Sequence, residues 1–381
     1  MEVNKEELLK LRDEIDRVDS RITELYSERM DVCSRIADLK IKSGSKVFDP
    51  AREAEKIRRI RENAQDEFDK QALQGLFEYL MSVSRKLQYK KLTENGVMGR
   101  LPFICVDSLY PEDESIRVVF QGAQGSYSQA AMEEYFGKGV ASFHVASFRE
   151  AMSAIDEGSA DFGVLPIENS TAGIVSEIYD LLAEFENYIV GQQIIPIKHC
   201  LLGLEDTDLA KVKKVYSHPQ SLMQCSDFLS EYPWEQISMP NNAFAAERIM
   251  KENDDTQVAI ASRYAGEHYG LKVLKEGIND SRTNSTRFII ITNQKVFLKG
   301  ADRISICFEL PHKSGSLYHI LSHFIYNDLN MTRIESRPIP GSDWEYRFFV
   351  DFEGNLSDGS VKNALRGIRD EAKGMQILGN Y

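Results

Sequence analysis

The sequence predicts a multidomain chain: an all-helical N-terminal module, a central α/β domain and a C-terminal α+β sandwich. Three observations predict it. No Pro or Gly interrupts Glu6 to Lys42, where apolar residues recur at helical spacing. From Arg117 to about Thr292, strand-like and helix-like stretches alternate, as they do in α/β domains. From Arg303 the order is strand, helix, two strands, helix, strand, the βαββαβ order of a ferredoxin-like sandwich. At 381 residues the chain can hold two or three domains that each bury a core.

In the first module, Leu8, Leu11, Ile15, Val18, Ile22 and Leu25, then Val32, Ile36 and Leu39, form a heptad-like seam on one long helix. Continuing that spacing puts Arg29 on the seam, where a buried cation needs a partner; the competing reading gives the core position to Met30 and leaves Arg29 flanking it. Lys40 lies close to three full turns beyond Arg29 and shares its face. Arg12 lies roughly 25 Å from Arg29 and roughly 42 Å from Lys40 along a straight helix, so Arg12 can serve the same small ligand only from a partner chain. So long an apolar seam separately predicts an intertwined dimer. Residues 43–48 break the helix. Asp49 then caps a second helix that has Pro50 at its first position, with Arg52 and Glu53 in the first turn, where a solvated charge pair is the default reading. The third helix, about Asp69 to Leu92, is expected to bury Leu73, Leu76, Phe77, Leu80 and Leu87, with Ser84 on that stripe and Gln88 one turn later.

Residues 93–115 mix Gly, Pro and acids without a sustained period, as an interdomain linker does. Beyond them, Arg117 to Phe120 reads as a strand entering GAQGSYS and a helix from about Gln129. Glycines before a helix can bind an anion, although a plain strand-to-helix turn is an equal reading. In DFGVLPIENSTAG, residues 161–173, an apolar strand stops in Glu168, Asn169, Ser170 and Thr171. Hydrogen-bonding groups at a strand's carboxyl end mark a site candidate, and a capped turn is the alternative. Downstream, Asn284, Ser285, Thr286 and Arg287 stand directly before the apolar run Phe288 to Ile291, with Ser217, His218, Pro219 and Gln220 between the two stretches. His218 fits a turn brace as well as a base. His199 and Cys200 are adjacent on a strand, where neighbouring side chains point apart. In the C-terminal part His319 and His323 have the spacing of a zinc pair, but no third ligand is in view and two ordinary helix residues explain them.

Composition narrows the function. A net charge of -13 argues against nucleic acid as a partner and requires any anion site to be locally basic. Cys33, Cys105, Cys200, Cys225 and Cys307 are scattered and odd in number, so neither a disulfide framework nor a metal site is predicted. The N-terminus is charged from its second residue, and no apolar run approaches the roughly 18 residues of a membrane span. A cytoplasmic protein without a membrane anchor is expected.

Five stretches, GAQGSYS at 122–128, VLPIENS at 164–170, KHCL at 198–201, YSHPQ at 216–220 and STRF at 285–288, resemble the motifs of prephenate dehydratases in their order. The whole chain resembles the bifunctional chorismate mutase/prephenate dehydratase family with a C-terminal ACT domain. The resemblance implies a mutase domain at 1–92, a linker at 93–115, a dehydratase domain at 116–296 and an ACT domain at 302–381, the dehydratase domain having two lobes like a periplasmic binding protein. It places mutase site positions on Arg12, Arg29, Lys40, Asp49, Arg52, Glu53, Ser84 and Gln88, with Ile36 a harmless departure. Chorismate rearranges to prephenate within one molecule, so no cofactor is implied; Arg12 from a partner chain, Arg29 and Arg52 would clamp carboxylates, Lys40 and Gln88 would donate to the ether oxygen, and Glu53 would hold the hydroxyl. For the dehydratase it implies Thr286 as the acid, with Glu168, Asn169, Ser170, Ser217, Gln224 and Arg287 binding or orienting substrate. Pairing of Arg287 with a nearby carboxylate is an equal reading. Ala123 stands where the family usually has Pro. Gly315, Ser316 and Leu317, with Glu335, Ser336, Arg337 and Pro338, resemble the ACT motifs that bind phenylalanine, and Ser316 departs from a small apolar residue. The implied protein is a homodimer or tetramer that makes phenylpyruvate and is inhibited by phenylalanine. Two rivals are a dehydratase acting on arogenate, which would favour an extra carboxylate in the cleft, and a non-catalytic amino-acid sensor.

Overall fold

A computed structural model describes the protein except residues 1–4, 97–100, 111–114, 282, 340 and 343. Parts of the expected linker and Pro340 of the ESRPIPG motif therefore lie outside the described residues. The chain forms two compact units, Met1–Leu101 with Phe308–Met375, and Pro102–Cys307 with Gln376–Tyr381.

The elements run α1 (Lys5–Ser43), α2 (Pro50–Glu62), α3 (Glu67–Glu94), β1 (Ile104–Val106), β2 (Arg117–Gln121), α4 (Tyr127–Phe136), β3 (Ala141–Val145), α5 (Phe148–Asp156), β4 (Phe162–Asn169), β5 (Gly173–Ile174), α6 (Ser176–Glu184), β6 (Tyr188–Pro196) and β7 (His199–Gly203). They continue β8 (Lys214–Ser217), α7 (Pro219–Met223), α8 (Ser226–Leu229), β9 (Glu235–Ser238), α9 (Asn242–Glu252), β10 (Gln257–Ser262), α10 (Arg263–Tyr269), β11 (Lys272–Glu276), β12 (Ser285–Thr292) and β13 (Val296–Leu298). Last come β14 (Arg303–Glu309), α11 (Ser316–Ile325), β15 (Met331–Pro338), β16 (Tyr346–Glu353), α12 (Gly359–Glu371) and β17 (Gly374–Asn380), in the expected βαββαβ order.

In the first unit α1 and α2 both pack on α3. Local signals set their ends: the Asp49 carboxylate accepts from Arg52 N beside Pro50, and Asp66 caps α3 through Asp69 N. The burial of α3 differs from expectation, whereas the seam of α1 is open, as a seam too long for one module to cover would be. On α1 only Cys33 and Ala37 are buried, while the seam from Leu8 to Leu25 stays open, Ile22 at 57% and Leu25 at 63% exposure. On α3 Leu76 is 51% exposed, and the buried face is instead Met81, Ser82, Ser84, Arg85, Lys86, Gln88, Tyr89 and Leu92. The reason is that α11 and α12 cover this C-terminal half of α3: Lys86 Nζ donates to Ser322 Oγ at 2.8 Å and Tyr89 OH to Asp370 Oδ2 at 2.7 Å. Helix α12 also packs on α11, and β15 pairs antiparallel with β16.

The second unit has two lobes. One is the sheet β6-β12-β4-β2-β3, whose core gathers Val118, Phe120, Met132, Val164, Phe288 and Ile290. The other is the five-stranded sheet β11-β7-β10-β8-β9, with Leu201, Val215, Val258 and Ile260 on one face and Tyr216, Ala259 and Ala261 on the other. Strands β8 and β10 read as short continuous apolar runs because both of their faces are covered. The chain crosses between the lobes twice, from β6 to β7 and from β11 to β12. The two crossings run side by side: Ile197 N donates to Asn284 O at 2.9 Å, and Asn279 Nδ2 donates to Ile197 O at 3.0 Å. The FICV run of the expected linker forms β1, which pairs in parallel with β13.

Candidate active sites

The first site is built on α1, α2 and α3. Arg29 is half-buried and faces α3, donating through Nη1 to Leu80 O at 2.9 Å and to Ser84 Oγ, so it lies on the helix interface. Gln88 is buried, and its Nε2 donates to Ser84 O at 3.2 Å while its Oε1 has no partner among the described residues. Lys40 donates to Val47 O at 2.7 Å. Burial holds its pKa below the usual lysine value, and the nearby Arg52 adds to that against Asp49 and Glu53. Among the described residues, Arg29, Lys40 and Arg52 make no ion pair with a carboxylate. Asp49 is exposed and caps α2. Glu53 is held by Arg85, whose Nη1 reaches both carboxylate oxygens at 2.6 and 2.5 Å, a partner that the sequence did not suggest. Arg12 lies on the open stretch of α1 and joins none of these groups.

The second site is a cleft of about 420 Å³ in the second unit, lined from both lobes and from the paired crossings. Thr286 is the second residue of β12, at the end of a crossing, and Asn169 closes β4 opposite it in register. Asn169 Nδ2 donates to Thr286 Oγ1 at 2.9 Å and to Asn284 Oδ1 at 2.9 Å, while Asn169 Oδ1 accepts from Thr171 Oγ1 at 2.8 Å and Ala172 N at 2.9 Å. Thr286 thus accepts, and no protein acceptor takes its own proton among the described residues. Gln224 donates to Thr171 Oγ1 at 2.9 Å, and its Oε1 accepts from Asn284 Nδ2 at 3.1 Å and faces His199 Nε2 at 3.1 Å. A carbonyl oxygen can only accept, so His199 carries its proton on Nε2 and its Nδ1 accepts from Tyr127 OH at 3.3 Å. Burial lowers the pKa of His199, against its hydrogen bond to Gln224, and burial lowers that of His218, which favours the neutral form of both. Cys200 is buried off this lining, and burial raises its thiol pKa, which leaves no Cys–His pair. His218 lines the cleft yet also caps α7, its Nδ1 accepting from Gln220 N at 3.2 Å.

Four expected contacts are not met here. Strand alternation turns Arg287 away from the face of Thr286 and Phe288, and it pairs with Glu168 at 3.3 Å. Ser170 Oγ is taken up by Ser285 N at 3.0 Å and Thr283 O at 3.2 Å. Ser217 is fully buried and donates to Ile260 O at 2.6 Å. The expected basic lining is absent as well: among the described lining residues there is no Lys or Arg. Instead α4 and α9 begin at the cleft wall, at Ser126–Tyr127 and Asn241–Asn242, where backbone amides and the helix dipole favour an anion without a formal charge. Gly125 opens this wall at φ +80, and a Cβ there would stand 3.2 Å from Tyr269, so the turn needs glycine. The sequence reading set Asn284 in a candidate stretch and weighed His199 beside Cys200 without giving either a site role, and it gave Tyr127 and Asn242 no mention. His199 and Tyr127 lie inside KHCL and GAQGSYS, and Asn284 adjoins STRF, so the motifs were the available signal.

In the C-terminal part, Gly315 caps α11 at φ +80, ahead of Ser316 and Leu317. Ser316 and Leu317 line a cavity of about 350 Å³ with Trp344, Tyr346 and Phe348. Glu335, Ser336, Arg337 and Pro338 lie on β15, paired with Phe349, Phe348, Arg347 and Tyr346, and none of them lines that cavity. Among the described residues, the two motif halves do not line this cavity together. His323 is buried against Glu371 at 3.0 Å, and no group of three His, Cys, Asp or Glu among the described residues can hold a metal ion. No described helix is long and apolar enough to cross a membrane.

Two family models match separate stretches of the chain. Residues 118–296 match the model of prephenate dehydratase, and residues 11–89 that of chorismate mutase type II. A bifunctional chorismate mutase/prephenate dehydratase of Stutzerimonas stutzeri is 35% identical over 383 residues, covering 99% of this chain and 98% of that protein. Among solved structures, a prephenate dehydratase from Arthrobacter aurescens in complex with L-Phe aligns with a TM-score of 0.65 at 27% identity, over 70% of this chain and 89% of its own. A chain described as a novel type of quorum quenching acylase aligns with a TM-score of 0.65 at 30% identity, over 70% of this chain and 97% of its own. With its length spanned by the first of these relatives, the chain belongs to the bifunctional chorismate mutase/prephenate dehydratase family.

Proposed function

We propose that the protein converts chorismate to prephenate on its N-terminal helices and prephenate to phenylpyruvate in the cleft, as an enzyme of phenylalanine biosynthesis. The mutase reading rests on Arg29, Lys40 and Arg52, three cations without a carboxylate partner among the described residues, with Arg29 and the buried amide of Gln88 both bonded to Ser84 and Arg52 close to Lys40. Arg29 and Arg52 clamp the two carboxylates of chorismate, and Lys40 and Gln88 donate to the breaking ether oxygen. Glu53 takes the hydroxyl, while Asp49 and Ser84 hold Arg52 and Arg29 in place. Arg12 completes the clamp from a second copy, the open seam of α1 being the face on which the two copies join.

In the cleft the observation that carries the reading is Thr286, which accepts from Asn169 and keeps its proton for a ligand. Prephenate loses carbon dioxide as its ring hydroxyl leaves; the Thr286 proton goes to that hydroxide to make water, and aromatisation drives the step. Asn169 Nδ2 stabilises the Thr286 alkoxide until solvent returns a proton. Gln224 and Asn284 hold the substrate, and its carboxylates face the starts of α4 and α9. Among the described residues that line the cleft none is a carboxylate, which favours prephenate over arogenate. Ser170, Ser217, Glu168 and Arg287 brace the cleft from behind. Residues 302–381 act as an ACT domain: phenylalanine binds between Gly315–Leu317 of one copy and Glu335–Pro338 of another and favours an inactive assembly. No part of this chemistry calls for a cofactor, and the setting is the cytoplasm. The test is to supply chorismate and read phenylpyruvate in alkali, with and without phenylalanine. Wild type forms phenylpyruvate and slows when phenylalanine is added; Thr286→Val accumulates prephenate, its dehydratase rate down by about 10²–10⁴-fold with the mutase rate kept. A Thr286→Val protein that still makes phenylpyruvate at the wild-type rate would sink the assignment.

A further inference from the structure

Arg85 stands on the buried face of α3 with its side chain only 7% exposed, between two carboxylates. Its Nη1 holds both oxygens of Glu53 on α2, and its Nε donates at 2.9 Å to Glu371 on α12, which lies 286 residues away in sequence. Glu371 is itself 8% exposed and takes a second hydrogen bond from His323 Nε2 at 3.0 Å. The ring of Phe48 lies 5.0 Å from the guanidinium carbon and closes another side. Neighbouring bonds, Lys86 to Ser322 and Tyr89 to Asp370, fix α12 and α11 along the same stretch of α3. A buried guanidinium with one carboxylate on each side has little freedom to turn, because any rotation breaks a charge-assisted hydrogen bond in a low-dielectric site. The orientation of Glu53 is thus set from the C-terminal helix layer.

We propose that Arg85 is a positioning residue for the mutase reaction: anchored by Glu371, it aims the Glu53 carboxylate at the substrate hydroxyl, so that α12 is part of the mutase scaffold. The inference rests on the reading of Glu53 given above. Nothing in the chemistry of the rearrangement requires Arg85 to touch substrate; it acts through Glu53 alone.

The experiment measures chorismate mutase kcat/KM on the full-length protein for Arg85→Met, Arg85→Lys, Glu371→Gln and Glu53→Gln, and for Arg85→Met and Glu371→Gln each combined with Glu53→Gln. The dehydratase rate of each protein, given prephenate, controls for folding. Arg85→Met and Glu371→Gln are expected to lower mutase kcat/KM by about tenfold, the order of coupling found between contacting charged groups. Arg85→Lys recovers part of the loss, the dehydratase rate stays within about twofold, and neither substitution lowers the rate further once Glu53 is Gln. Glu371→Gln keeps the shape of the site and guards against an Arg85 variant that folds poorly. If Glu53→Gln lowers mutase activity while Arg85→Met and Glu371→Gln leave it at the wild-type level, the positioning role is overturned and the Glu53 reading stands. If Arg85→Met costs its full factor in the Glu53→Gln background, Arg85 acts on the fold and the proposal is likewise overturned. If Glu53→Gln itself leaves the mutase intact, the reading of Glu53 falls and takes this inference with it.

Discussion

Lys40 shows how a single residue carries both structure and chemistry. Its ammonium anchors Val47 O at the turn that follows α1, while burial and the nearby Arg52 favour loss of its proton. Donation to the ether oxygen needs the charged form, so mutase kcat/KM should fall as pH rises through a midpoint below the ordinary lysine value of 10.5. A Lys40→Arg protein, slower but charged throughout that range, should lose this alkaline limb; a pH–rate profile that keeps the limb unchanged would place it on another group. Glu53 and Thr286 complete the contrast at this scale. Sequence order put a hydroxyl and a cation side by side at Thr286 and Arg287, but only strand alternation decides that the hydroxyl faces the cleft and the cation faces Glu168.

Among the elements, α1 is the one that its own chain leaves unfinished. Its 39 residues expose Leu8, Leu11, Ile15, Val18, Ile22 and Leu25 as a continuous stripe, whereas its C-terminal third packs on α3. An apolar stripe of that length in water is a strong drive to association. Ile22→Arg, near the middle of the stripe, should weaken the proposed dimer by at least about 2 kcal/mol, the scale of a central interface anchor, because a charge would replace a side chain that the partner copy covers. Sedimentation at graded concentration would then find monomer, with mutase activity lost in parallel as Arg12 leaves its partner's site. Mutase activity persisting in a demonstrated monomer would refute the supply of Arg12 in trans. The helix was legible from its lack of Pro and Gly and from its period, and the open seam follows from the same pattern. Helix α3 was read less well: Leu76 is exposed, and Arg85, Lys86 and Tyr89 are buried although two of them are basic, because α11 and α12 cover that half.

For the molecule as a whole, stability depends on charged groups that folding takes out of water. Burial lowers the pKa of Lys86 to about 7, against Glu371, which raises it, although its ammonium also lies 3.4 Å from the centroid of the Tyr326 ring and donates to Ser322. The folded pKa is below the unfolded one, so between about pH 7 and the ordinary lysine value of 10.5 the unfolded chain binds the extra proton and stability rises with pH. Urea unfolding across this window should find a smaller rise in Lys86→Met than in wild type; equal slopes would mean that Lys86 keeps its charge when folded.

By itself the sequence determined the elements and their order: caps such as Asp49 with Pro50, the unbroken α1, the alternation of the central domain and the βαββαβ order all rest on neighbours a few residues apart. The motifs around Asn169, His199, His218 and Thr286 likewise marked the lining of the cleft before any fold was known. Only the tertiary structure decided what those elements meet. Periodicity states that a face is apolar or polar but not which distant surface covers it, so the pairing of Arg85 with Glu371 and the burial of Lys86 had no local signature. The same holds for the cleft wall, where the starts of α4 and α9 stand in the place of the Lys and Arg that charge counting called for, since a backbone dipole acquires its direction only when the helix is placed.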